Sequence, residues 1–108
     1  MTDRELLELA AKAAEYTLED HYDAHDLYWP WCVELGDNWC PLTNDTDALR
    51  LAVKLHLSAD FFDDAIAVGY TSLDNKCAQV YEPVGTDPYA ATRRAIVRAA
   101  AEIGRAMT

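Results

Sequence analysis

Glycine, phenylalanine, methionine, cysteine and basic residues are all scarce in this 108-residue chain, which has 4 Gly, 2 Phe, 2 Met, 3 Cys and only 9 Lys+Arg against 19 Asp+Glu. The four glycines stand apart from one another, which excludes a glycine-rich loop that cradles phosphate. Long apolar runs are missing as well. None approaches the roughly 20 residues that a bilayer-spanning helix needs. The start, MTDRELLELAAK, lacks the basic-then-apolar order of a secretory signal. The expectation is a soluble, cytosolic protein. Cys32, Cys40 and Cys77 cannot all pair within one chain, and reduced thiols are expected in that compartment. A Cys32–Cys40 disulfide is disfavoured for the same reason.

The shortage of bases is uneven. Residues 15–87 set fifteen acids against Arg50, Lys54 and Lys76, whereas residues 88–108 carry four arginines and Glu102. A net charge of −10 concentrated in the middle of the chain repels nucleic acid and attracts basic partners. Direct DNA or RNA binding is therefore not expected.

What remains is enough for one core. Apolar residues make up 51% of the chain, and this length suits a single domain. Thr2 and Glu5 form a capping box, followed by Leu6, Leu9, Ala10 and Ala13 at helical spacing to about Glu15. A short strand is expected around Tyr16–Glu19, and Pro30, Gly36 and Pro41 predict loop over most of residues 30–44. Thr43 or Asn44 caps a second helix, with Asp45 and Asp47 in its first turn and Ala48, Leu51, Ala52 and Leu55 on its buried face. DALRLAVKL is apolar enough to be enclosed on more than one side. Alternation through Ile66, Val68 and Tyr70, turn residues at 72–75, and alternation again at Cys77, Gln79 and Tyr81 predict an antiparallel pair. Phe61 and Phe62 open its first strand or belong to another short one. Asp87 and Pro88 start a last helix whose core side carries Tyr89, Thr92, Ile96, Ala100 and Ile103. The order is α-(β)-α-β-β-α, an α+β single-domain layered sandwich with an antiparallel sheet packed by helices.

CPLTNDTDALRLAVKL and DPYAATRRAIVRAAAEIGRAM together resemble a family of small phage and prophage proteins, the phage α-β-α sandwich domain family. The likeness is strongest in these two helices and weak in residues 16–38 and 57–76. It implies a phage or prophage origin and an α/β sandwich. It carries over no catalytic residue. It also implies that the Trp39 loop and the second helix form one structural unit.

The chemistry-bearing side chains cluster at residues 20–40. His21 and His25 are four apart, and Cys32 and Cys40 would complete a four-ligand zinc set. Seven residues separate those cysteines rather than the usual two to four, so no metal site is assigned. A reactive thiol needs a positive neighbourhood, and this one is negative. No cofactor and no catalytic residue follow, and a non-enzymatic protein is expected.

Trp29, Trp31 and Trp39, with Tyr22 and Tyr28 nearby, fit either a core wall or the aromatic anchors of an interface. In an extended segment Trp29 and Trp31 share a face. At least one tryptophan should be buried and at least one partly exposed. Asp20, Asp23, Asp26, Tyr28, Trp29, Trp31 and Trp39 are thus the partner-binding candidates. Arg94, Arg98 and Arg105 share the outer side of the last helix, with Arg93 at their edge. They are candidates for phosphate, or else pair with the acidic remainder of the molecule.

The leading expectation is a phage accessory protein that binds a basic or nucleic-acid-binding host protein and inhibits a host defence complex, as anti-CRISPR proteins do. The alternatives are a nucleotide sponge built on the arginine face and a metal- or thiol-dependent enzyme centred on residues 21–40.

Overall fold

Single side chains set all three helix starts. Thr2 Oγ1 accepts from Glu5 N–H, Asn44 Oδ1 from Asp47 N–H, and Asp87 Oδ1 from Tyr89 and Ala90 N–H, each replacing a bond that the first helical turn lacks. The computed structural model describes residues 1–22, 24–25, 28–72 and 74–107. Among these, helix α1 spans Asp3–Ala13, α2 Asp45–Lys54 and α3 Pro88–Ala106. Strands β1 (Leu18–Tyr22), β2 (Tyr28–Cys32) and β3 (Asp37–Asn38) form one antiparallel sheet in the order β1-β2-β3. Strands β4 (Ser58–Phe61), β5 (Ala65–Thr71) and β6 (Cys77–Pro83) form a second, in the order β4-β5-β6.

The fold class is the expected α+β, but with more strands. The loop expected over residues 30–44 contains the end of β2 and all of β3, and Phe61 closes a separate short strand. Pro30 looks like a strand breaker, yet it sits in the middle strand of its sheet. Its carbonyl accepts from Trp39 N–H at 2.9 Å, while its missing donor faces the ragged end of the two-residue β3, where little pairing is lost.

Helices α1 and α2 end in the same way without glycine. Glu15 and His56 adopt positive φ (62° and 55°) just past the helix. Tyr16 N–H then bonds Ala11 O, and Leu57 N–H bonds Ala52 O, each closing a Schellman turn. These turns return Tyr16 and Leu57 to the core. Tyr16 meets Trp39 edge-on at 5.6 Å.

The core lies between α3, α1 and the inner face of the second sheet. Ala95, Val97, Ala99 and Ala100 of α3 pack against Leu6, Leu7, Ala10 and Ala11 of α1 and against Ile66, Val68 and Val80. The alanines let the helices approach closely. At Gly104 a Cβ would overlap the carbonyl oxygen of Leu9, so this position admits hydrogen only.

Two expected burials fail. Tyr89, assigned to the core side of α3, is 71% exposed, because α3 meets the rest of the molecule chiefly from Ala91 onward. α2 is enclosed on one side only. Ala48 and Leu51 are buried and Ala52 and Leu55 half-buried, but Leu49 and Val53 are 64% and 68% exposed.

Candidate functional site

The tryptophan segment separates into two environments because of strand register. His21 pairs with Trp29 and Glu19 with Trp31 across β1 and β2, so these four side chains share one face. The His21 ring stacks on Trp31 (5.2 Å, 3° between planes) and meets Trp29 edge-on at 6.0 Å. Both indoles are half-buried, and Trp29 Nε1 has no hydrogen-bond partner among the described residues. Glu19 Oε1 lies 3.7 Å from His21 Nε2.

Trp39 goes to the other side. Its amide bonds Pro30, which places it on the Pro30–Cys32 face, and it is only 1% exposed. It is core, and its place among the partner-binding candidates is corrected: an indole sealed by Tyr16 cannot touch a partner. The expected mixture of buried and partly exposed tryptophans is present. Asp20 is exposed and ion-paired with Arg4. Asp23 and Asp26 lie outside the described residues, as does the side chain of Tyr28.

The Trp39 loop and α2 do form one unit. Asp47 Oδ2 accepts from Cys40 N–H at 3.0 Å, while Arg93 donates to Leu42 O (2.9 Å) and to Asp45 Oδ1 (2.7 Å). Arg93 thereby ties the loop, α2 and α3 together.

The ligand candidates for metal and thiol chemistry do not gather into one cluster among the described residues. Cys32 is buried, Cys40 half-buried and Cys77 exposed, and all three are free thiols. Burial pushes the Cys32 thiol up, toward the unreactive protonated form. His21 is engaged with the two indoles, and His25 is exposed. Among the described residues no group of three His, Cys, Asp or Glu side chains converges on one point. Cys77 and His56 both line a shallow hollow on the outer face of the second sheet, with Gly69 at its floor.

The arginines pair with acids of the same molecule. Glu82, largely buried, accepts from Arg98 at 2.5 Å and lies 3.7 Å from Arg94. Arg94 also reaches Asp3 at 3.0 Å, Arg98 donates to the carbonyl of Tyr81 at 2.7 Å, and Arg105 pairs with Glu102 at 3.2 Å. A phosphate at Arg94 or Arg98 would have to displace carboxylates already in place.

An apolar opening lies outside the candidate residues. Leu49 and Val53, one turn apart on α2, face Phe61 of β4 and Tyr89, Thr92 and Ile96 of α3 across two adjoining hollows of about 420 and 490 Å³. Phe61 and Phe62 are 69% and 57% exposed. Asp45 stands at one end and His56 at the other. The sequence shows only that α2 is apolar at Ala48, Leu49, Leu51, Ala52, Val53 and Leu55, wider than one buried stripe, and not what covers the extra width. Such a surface can bind an apolar side chain by desolvation. Comparison with protein-family models, with curated proteins and with solved structures finds no match to this chain.

Proposed function

We propose that this chain is a binding protein, acting on another protein through the open face of α2 and without a chemical step. The observation that carries the reading is the groove of Leu49, Val53, Phe61 and Tyr89, four large apolar side chains left well exposed on contiguous elements. Apolar patches rimmed by polar residues mark interaction surfaces more often than they occur idly. The half-buried Trp29–His21–Trp31 face is a second, smaller aromatic surface on the same molecule.

The acid excess and the resemblance to phage sandwich proteins extend the proposal. The chain is a phage or prophage accessory protein working in the host cytoplasm. Its partner is a basic host protein, of the kind that handles nucleic acid in a defence complex. Charge would bring such a partner in, and the apolar groove would hold it.

The test is affinity capture from host lysate with the parent and with a Leu49→Gln, Val53→Gln double variant. Both substitutions lie on exposed positions and preserve net charge, so the melting temperature should hold. A partner captured by the parent should be lost from the variant. Retention of the same partner at the same yield would remove the groove from the reading.

A further inference from the structure

We infer that the free edge of β4 accepts an extended segment of the partner protein, one in which apolar and basic residues alternate. This rests on the groove beside α2 being a protein-docking face.

Register shows what the edge offers. Phe62 N–H bonds Ala65 O at 2.9 Å, which makes Phe62–Ala65 a hydrogen-bonded pair. Antiparallel pairs alternate, so Ser58 and Asp60 also spend their backbone groups on β5, while those of Ala59 and Phe61 point away from it. Among the described residues nothing pairs with that side of β4.

The opposite edge of the same sheet is blocked at one end. Val84 N–H bonds Asp64 O at 3.1 Å, so by the same alternation Cys77, Gln79, Tyr81 and Pro83 of β6 face outward. Pro83 has no N–H to offer, and the Tyr81 carbonyl already accepts from Arg98. Proline and a covering side chain are standard means of blocking an edge. On β4 neither is present.

Side-chain alternation then specifies the occupant. Ala59 and Phe61 turn toward the helix side and line the groove with Leu49 and Val53, whereas Ser58 and Asp60 turn to the outer face. A strand added to this edge alternates in the same way. Its inner residues would lie against Leu49, Val53 and Phe61, where apolar groups gain most. Its outer residues would lie beside Asp60, with Asp63 and Asp64 in the following turn, where basic groups are favoured. The same acids oppose a second copy of this chain, because edge-to-edge pairing would bring Asp60 close to its own counterpart and join two molecules of charge −10.

The probe is a capped peptide of about seven alternating Lys and Val residues, long enough to cover a four-residue edge, with a Glu/Val peptide as control. Amide hydrogen exchange and methyl NMR shifts of the full chain are the readouts. The Lys/Val peptide should slow exchange at Ala59 and Phe61 and shift the methyls of Leu49 and Val53, and the Glu/Val peptide should do neither. Ala59→Pro deletes an outward N–H and spares the ladder to β5; it should weaken the Lys/Val peptide about tenfold, the equivalent of about 1.4 kcal/mol. Asp60→Lys changes no backbone group and should reverse the preference between the two peptides. Methyl shifts without protection of Ala59 and Phe61 would overturn strand addition and leave the groove standing. Protection that grows with protein concentration and needs no peptide would give the edge to a second copy and overturn the inference. Equal binding of both peptides would overturn the basic character of the partner. No response to either would overturn strand addition, while the lysate capture decides the groove reading separately.

Discussion

Glu34 lies in the turn after β2, where its carboxylate accepts from the Thr17 backbone N–H at 2.6 Å and sits 3.8 Å from the Cys32 thiol. The Thr17 hydrogen bond stabilises the charged form and holds this carboxyl below its ordinary value of 4.5. A group with a depressed folded-state pKa stabilises the fold fully above its unfolded value. That contribution is lost as pH falls through 4.5 and below. Glu34→Gln keeps an oxygen for Thr17 and removes the titration. Urea midpoints measured from about pH 6 to pH 3 should fall less steeply in the variant than in the parent. Identical slopes would mean that the Thr17 bond does not distinguish the two charge states. Little of this was legible in the sequence, where Glu34 is one acid among fifteen in its region. Trp39 was equally hidden: its separation from Trp29 and Trp31 depends on a register that Pro30 and Gly36 disguise as loop.

At the scale of elements, legibility followed the range of the cause. Caps are local chemistry, and Thr2, Asn44 and Asp87 mark their helices within a few residues. The β5–β6 pair was equally readable from its alternation and its turn. Helix-to-helix contact is not local, and Gly104 shows the cost. In sequence it is an unremarked glycine near the end of a helix. In space it lies against α1, with the Leu9 carbonyl in the volume that a methyl group would fill. Gly104→Ala would ordinarily stabilise a helix by up to about 1 kcal/mol. Here the overlap is with backbone, which cannot rotate away, so α1 must shift along the seam that includes Leu6, Leu7, Ala10 and Ala11. Thermal or urea unfolding should show a net loss of about 1–3 kcal/mol, the usual range for overpacking. A neutral or stabilising outcome would show that α1 and α3 separate easily.

The whole molecule measures 40 × 35 × 23 Å, a flattened body whose second sheet has helices on one face and a largely exposed opposite face. Its class was legible because the apolar pattern matches helices and strands almost throughout. The groove was not, because an apolar α2 reads the same whether its second wall belongs to this chain or to another molecule. In the proposed complex charge and groove would make separable contributions to binding, and kinetics can tell them apart. Long-range attraction acts before contact and is screened over about 10 Å at 0.1 M salt, so it governs association. Apolar burial acts after contact and governs dissociation. With the partner captured from lysate, raising salt from about 0.05 to 0.5 M should slow association on the order of tenfold. Asp60→Asn, Asp63→Asn and Asp64→Asn together should reduce that salt dependence and leave dissociation nearly unchanged. Leu49→Gln with Val53→Gln should do the reverse, speeding dissociation at every salt concentration. The set Asp20→Asn, Asp23→Asn and Asp26→Asn removes as many charges from β1 and the stretch of sequence between β1 and β2, which makes it the matched comparison. If that set lowers the association rate more than the Asp60 set does, the partner approaches by way of the acids around β1, and the α2 groove loses its claim to be the first point of contact.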